Sequence, residues 1–123
     1  MQTILVINSK GGSGKTTLAT NIASYFASSK RKTAIMDYDP QGSSLHWLQL
    51  RSAKASPIHA ADAAVQKGKR MRSLQMYVPE DTEILVIDAP AGVDGVLLQE
   101  MVKKTDYILV PVAPSIIDIH ATA

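Results

Sequence analysis

The sequence predicts an α/β fold, a mostly parallel sheet flanked by helices, and three observations carry that prediction. Residues 3–7, 33–36, 83–87 and 107–110 are apolar runs without two-residue alternation, the mark of strands covered on both faces. Segments with helical spacing of apolar residues lie between them, and strands alternating with helices imply parallel pairing. Each run is also closed by Asn, Asp, Ser, Gly or Pro, residues that interrupt regular structure. Right-handed crossovers then place the C-terminal ends of all the strands on one edge of the sheet.

Each element has its own justification. Thr3-Ile4-Leu5-Val6-Ile7 is β-branched and aliphatic and stops at Asn8-Ser9, as a buried strand should. A glycine-rich stretch, Lys10-Gly11-Gly12-Ser13-Gly14-Lys15-Thr16-Thr17, leads into residues 17–29. There Leu18, Ile22 and the Tyr25/Phe26 pair recur at helical spacing beside Ala19, Ala23 and Ala27. Lys30, Arg31 and Lys32 follow Ser28-Ser29, where the negative end of the helix favours cations. The second strand, 33–36, delivers Asp37-Tyr38-Asp39-Pro40-Gln41-Gly42 at its end. Ser43 or Ser44 is then placed to cap a helix carrying Leu45, Trp47, Leu48 and Leu50, which must end before Pro57.

Residues 58–60 read as a short strand and residues 61–76 as a helix interrupted by Gly68, with Lys67, Lys69, Arg70 and Arg72 clustered on it. The third clear strand, 83–87, ends in Asp88-Ala89-Pro90-Ala91-Gly92. Val96, Leu97, Met101 and Val102 suggest a further helix, and the strand at 107–110 is closed by Pro111 and Pro114. No internal repeat, linker or low-complexity segment is present.

With 123 residues the chain is one domain, expected to span 1–123. Its 46% hydrophobic and 20% charged residues describe a folded globular protein, and a net charge of +2 allows a diffuse attraction to nucleic acid or membrane without arguing for one. The absence of cysteine excludes disulfides, cysteine nucleophiles, thiolate metal sites and cysteine-ligated iron–sulfur clusters. The apolar runs are strand-sized, too short to span a bilayer, and residues 1–8 lack a signal-peptide pattern, so the cytoplasm is the expected location.

The glycine stretch fits the phosphate-binding template G-x-x-x-x-G-K-[ST] in part, with Ser9 where the template has glycine and an additional lysine, Lys10, at its front. Backbone amides of Gly11, Gly12, Ser13, Gly14, Lys15 and Thr16 can wrap a phosphate at the positive end of the following helix. Lys15 can charge-pair with the β- and γ-phosphates, Thr16 can ligate Mg²⁺, and Thr17 can hydrogen-bond the α-phosphate. Asp88, at the end of a buried strand, suits a carboxylate that holds a water on Mg²⁺; the competing reading is a cap for the next helix. Asp39 can orient an attacking water, hold a magnesium water, or do both, against the plainer reading of an Asp-Pro turn. Gly92 can offer its N–H to the γ-phosphate.

Taken together, these residues resemble the deviant Walker A group of ATPases typified by ParA and MinD. Residues 10–17 resemble its Walker A, Asp37-Tyr38-Asp39-Pro40-Gln41-Gly42 its D-x-D-P-Q-G switch I, residues 84–92 its Walker B and switch II, and Pro111-Val112-Ala113-Pro114-Ser115 its P-V-x-P-S loop. The compact ParA type, lacking an N-terminal helix-turn-helix domain, is the nearest match, because only nine residues precede Lys10. The resemblance implies ATP and Mg²⁺ as ligands and a homodimer formed on ATP binding, in which Lys10 reaches the partner's nucleotide. It implies Lys10, Lys15 and Asp39 as catalytic residues and Thr16, Asp39 and Asp88 as the magnesium set. It further implies slow hydrolysis stimulated by a ParB-like or cargo-adaptor protein, in plasmid or chromosome partition or in cargo positioning. Non-specific DNA binding in the full-length protein, with nucleoid association, belongs to the same expectation. The family's fold usually continues well past the P-V-x-P-S loop, so the C-terminal part of that fold is expected to be missing.

Two other readings stay open on the residues. A MinD-like membrane switch in division-site placement would need an amphipathic C-terminal helix, which is not found in these residues. A non-catalytic nucleotide-binding module is the other. The cluster at Lys67, Lys69, Arg70 and Arg72 reads as a DNA-facing patch or as a solvated helix face. His46, His59 and His120 have no metal-ligand spacing.

Overall fold

Five strands pair in parallel in the order β3-β2-β4-β1-β5 in the computed structural model, which describes residues 1–7, 14–39, 41–63, 77–90 and 95–111. In chain order the elements are β1 (Gln2–Val6), α1 (Lys15–Ser28), β2 (Thr33–Asp37), α2 (Ser43–Leu50), β3 (Ile58–Asp62), β4 (Ile84–Asp88), α3 (Gly95–Lys103) and β5 (Tyr107–Leu109). The parallel α/β sheet expected from the apolar runs is therefore present.

The lack of alternation in those runs follows from cover on both faces. Successive side chains of a strand point to opposite sides, and here both sides meet apolar partners. Ile4, Val6, Ile35, Ile84 and Val86 pack against Ala19 and Ala23 of α1, with Leu18, Ile22, Phe26 and Leu48 around them. Leu5, Met36, Leu85 and Ile87 point the other way, into a cluster that includes Met101 and, at its margin, Leu97 of α3. Ala19, Ala23 and Ala27 form the buried stripe of α1, and their small side chains let the helix lie close to the sheet.

α1 ends in a Schellman turn: the Lys30 N–H donates to Ala27 O and the Arg31 N–H to Phe26 O, each at 3.0 Å. The turn needs a left-handed residue, and Lys30 supplies it at φ 67° where glycine is usual. The helix itself stops at Ser28, so Lys30, Arg31 and Lys32 lie just beyond its last turn.

Three expectations change. β3 runs to Asp62 rather than ending at 60, so the helix expected from residue 61 does not begin there. Ala61 and Asp62 pair with Met36 and Asp37 instead, and Ala61 is fully buried against the sheet. The rest of that segment, 64–76, with Lys67, Lys69, Arg70 and Arg72, lies outside the described residues. The strands are also offset by one residue from the apolar runs at β1 and β4, while β2 extends one further; Asp37 and Asp88 are their last residues rather than the first beyond them. Strand pairing follows the backbone, and the ladder persists through the polar residue. Finally, β5 has only three residues, all exposed, and among the described residues pairs with β1 alone. Its start is clipped to β1 by the Thr3 N–H on the Asp106 carboxylate at 2.7 Å and the Asp106 N–H on Thr3 O at 2.9 Å.

Three stability predictions arise from this arrangement. Ile35→Ala, at a fully buried position in the strand between β3 and β4, should cost about 2–5 kcal/mol in urea denaturation. Leu50→Ala, at 74% exposure, should stay within about 0.5 kcal/mol. Lys30→Gly should raise stability by about 0.5–1 kcal/mol, since relief of the left-handed conformation exceeds the added freedom of the unfolded chain. An unchanged or lower urea midpoint would contradict it.

Candidate functional site

The strand register puts three carboxylates in a row. Asp37 is aligned with Asp88 on one side and Asp62 on the other, each the last residue of its strand. α1 begins at the same edge. Gly14 stands at its N-cap with φ 86°, and no side chain caps the helix, so its first N–H groups remain available to an anion. The glycine is required by that left-handed backbone, which would strain any side-chain-bearing residue.

Lys15, the first residue of α1, is 8% exposed, and its ammonium is ion-paired with Asp88 Oδ1. The same Nζ lies 3.9 Å from Asp39 Oδ2. Asp88 is fully buried. Its other oxygen, Oδ2, accepts a hydrogen bond from the Ser44 hydroxyl and a longer one, 3.4 Å, from the Thr16 hydroxyl. Among the described residues Asp88 is the hub on which the starts of α1 and α2 meet β4.

The loop between β2 and α2 is folded by its own carboxylates. Asp37 Oδ1 accepts the Asp39 N–H at 2.9 Å and Oδ2 the Leu45 N–H at 3.4 Å, so one buried side chain ties both ends of the loop. Asp39 Oδ1 accepts the Gln41 N–H at 2.9 Å, the local turn its Asp-Pro-Gln-Gly context suggests, while Oδ2 is directed to Lys15. The two readings of Asp39 are thus compatible. Neither Ser43 nor Ser44 caps α2: Gly42 is the N-cap at φ 64°, and the Ser44 hydroxyl is spent on Asp88.

Burial pushes the Asp37 carboxyl up to about 6, with the nearby Asp88 and Asp39 charges adding to it. The N–H groups of Asp39 and Leu45 pull in the opposite direction and only partly offset this.

Of the residues singled out from the sequence, Lys15, Thr16, Asp39 and Asp88 come together at this edge, with Gly14 at the head of α1. Thr17 is exposed on the first turn of α1. Lys10, Gly11, Gly12, Ser13 and Gly92 lie outside the described residues. Sequence reasoning missed Ser44, Asp62 and the bracing role of Asp37. A signal for Asp62 was present: Thr-Ala-Ile-Met-Asp, Ile-His-Ala-Ala-Asp and Ile-Leu-Val-Ile-Asp are three five-residue strands that each end in aspartate.

A strand–glycine–helix start with a buried lysine, facing strand-end aspartates, defines a nucleotide-binding α/β domain. Residues 4–117 match the family model of the CobQ/CobB/MinD/ParA nucleotide binding domain, and the chain belongs to that family. It is 32% identical over 123 residues to the maintenance of carboxysome distribution protein A of Halothiobacillus neapolitanus, covering 98% of this chain and 54% of the relative. The protein of the same description from Gloeobacter kilaueensis is 30% identical over 116 residues, covering 94% of this chain and 51% of the relative. The chain thus spans about half the length of these curated relatives. Among solved structures, the MinC:MinD cell division protein complex of Aquifex aeolicus superposes with a TM-score of 0.65 at 20% identity, covering 98% of this chain and 59% of that one. That likeness shows the shared fold.

Asp37 supplies a pH prediction. Its folded-state pKa of about 6 lies above the ordinary 3.8, so the native state binds this proton more tightly than the unfolded chain. Stability from this group is full below about pH 4 and falls as the pH rises through about 6. The loss is on the order of 2–3 kcal/mol. Asp37→Asn, which cannot ionise, should gain on the wild type by that margin between pH 4.5 and 7.5 in paired urea titrations. A constant difference between the two proteins would refute the buried-carboxyl account.

Proposed function

We propose that this chain binds ATP with Mg²⁺ at the C-terminal edge of its sheet and hydrolyses it, as the nucleotide domain of a ParA-like partition or positioning ATPase. The observation that carries the reading is the buried Lys15 ammonium behind the Gly14 turn, held by Asp88 and within 3.9 Å of Asp39. Such an amine, at the uncapped start of a helix, is arranged to exchange a carboxylate partner for a phosphate.

The donor set fits a hard cation. Among the described residues no three His, Asp or Glu side chains gather as a metal cage. The Thr16 hydroxyl and the Asp88 carboxylate instead offer a small number of oxygen ligands beside the phosphate position, the arrangement Mg²⁺ uses when phosphate oxygens and water complete its shell. Thr16 and Asp88, with Asp39 at the margin, would hold it. Bound there, the cation would neutralise charge on the β- and γ-phosphates.

The protein's own residues account for the remaining steps. Bound phosphates would draw Lys15 away from Asp88, leaving that carboxylate, with Thr16, to hold the cation. Asp39, anchored through Oδ1 by Gln41, keeps Oδ2 toward the phosphate end of Lys15, where it can accept a proton from the attacking water. Water oxygen bonds to the γ-phosphorus, the bond to the ADP oxygen breaks, and inorganic phosphate leaves. Gly11, Gly12, Ser13 and Thr17 complete the phosphate cradle in this proposal, and Gly92 contacts the γ-phosphate. Lys10 reaches the nucleotide of a second subunit, which makes the dimer ATP-dependent.

The carboxysome-distribution relatives support cargo positioning as the role; a ParB-like or cargo-adaptor stimulator and a track of non-specific DNA belong to the proposal through the resemblance of the motifs alone. A shorter match, 54% identity over 39 residues to the chromosome partitioning protein ParA of Myxococcus xanthus, keeps partition within the same proposal. Among the described residues no helix is long and apolar enough to cross a membrane.

ATP binding tests the reading. Lys15→Ala should weaken Mg-ATP affinity by at least about tenfold, the loss expected for a charge-assisted contact of about 1.5–3 kcal/mol. Lys10→Ala should leave affinity in place and abolish self-association in ATP, measured by sedimentation velocity. Identical sedimentation of the wild type in ADP and ATP would remove the dimer from the proposal, and wild-type affinity in Lys15→Ala would remove the site.

A further inference from the structure

Ser44 is fully buried, and its hydroxyl donates to Asp88 Oδ2. Among the described residues three donors hold that carboxylate: Lys15 on Oδ1, and Ser44 and Thr16 on Oδ2. Two of them have other work in a nucleotide complex, Lys15 on phosphate and Thr16 on the cation. Ser44 has none. It lies on α2, beyond the loop that carries Asp39, and it can stay on Asp88 when the others leave.

We propose that Ser44 is a positioning residue for Asp88: its hydroxyl fixes the carboxylate rotamer and thereby sets how tightly the nucleotide site holds its divalent cation. The proposal rests on the nucleotide reading above. The position of Ser44 is itself determined by groups other than Asp88. The Leu45 N–H is tied to Asp37 Oδ2 at 3.4 Å, and the Tyr38 N–H donates to the Asp88 backbone carbonyl at 2.9 Å. The His46 N–H closes on Gly42 O at 2.8 Å, so the first turn of α2 forms without help from the Ser44 side chain. The hydroxyl is thus held in place by the backbone around it and is free of any capping duty.

A buried carboxylate with a single remaining anchor would sample other rotamers once Lys15 and Thr16 turn to ligands. Outer partners that orient a metal-binding carboxylate typically contribute about tenfold or more to metal affinity. The same bond also couples the switch to the loop before α2, because any displacement of that loop moves Ser44 against Asp88.

The test uses ATP binding to the whole chain, by calorimetry, across a Mg²⁺ titration and again in EDTA. Ser44→Ala should raise the Mg²⁺ concentration at half-maximal ATP binding by about tenfold and leave ATP affinity in EDTA unchanged. Ser44→Cys fills the same space with a far weaker donor and should shift the Mg²⁺ midpoint in the same direction. Ser44→Thr, which restores the hydroxyl, should recover most of the wild-type midpoint. A wild-type Mg²⁺ midpoint in both the Ala and Cys variants overturns the assignment, and so does an equal loss of affinity with and without Mg²⁺, which would mark Ser44 as merely structural. If the wild type binds no ATP at any Mg²⁺ concentration, the nucleotide reading itself fails, a result separate from any difference between variants.

Discussion

The buried carboxylate of Asp88 is the constraint on which the functional edge depends. It terminates β4, which lies between β2 and β1 in the sheet, and no part of it reaches solvent. A charge in that position is tolerable only when paired and hydrogen-bonded. Lys15 from α1 and Ser44 from α2 meet that demand, so the beginnings of two helices are fixed by one side chain on the sheet. The glycine turn before α1 then follows as a geometric requirement. Lys15 stands at the first position of α1, and Gly14 before it takes the left-handed conformation that starts the helix there.

The neighbouring Asp37 acts on the backbone rather than on a charge. By accepting the N–H groups of Asp39 and Leu45 it closes the loop between β2 and α2 from both ends. Its burial cost appears as the raised pKa, and the structure bears that cost to hold Asp39 and Ser44 in fixed relation. Asp37 and Asp88 are aligned across the β2–β4 ladder, and the Tyr38 N–H bonds to the Asp88 carbonyl. The loop and the Lys15 site are thus joined through hydrogen bonds at the ends of β2 and β4.

Much of this was legible in the residues because two periodicities do not resemble each other. Unbroken aliphatic runs marked β1, β2 and β4, whose side chains alternate between two apolar clusters, and the Leu18–Ile22–Phe26 spacing marked α1. The glycine loop located the site, and Lys15, Thr16, Asp39 and Asp88 converge as their strand-end positions imply. β3 was harder. Its outer position in the sheet leaves His59 and Ala60 partly or largely open to solvent, so Ile-His-Ala-Ala-Asp carries little hydrophobic signal, and its alanines suit a helix as well. Ser44 was invisible for a different reason. A serine beside a glycine at the start of a helix reads as a cap, and only the three-dimensional approach of Asp88 shows that its hydroxyl points elsewhere.

The charge balance of the edge bears on what it can bind. Among the described residues Asp37, Asp39, Asp62 and Asp88 stand near the strand ends, and Lys15 is the cation paired into them. A nucleotide triphosphate brings several further negative charges, and their mutual repulsion in a partly buried cleft is far stronger than in water. One ammonium and the partial charge of a helix end do not offset that sum. Additional positive charge would therefore favour binding, and the proposal takes it from a divalent cation held by Thr16 and Asp88, with Lys10 of a facing subunit acting only once the dimer forms. In the proposal the acidity of this edge thus gives the cation its part in binding, and leaves to Lys10 the separate part of tying the bound nucleotide to assembly.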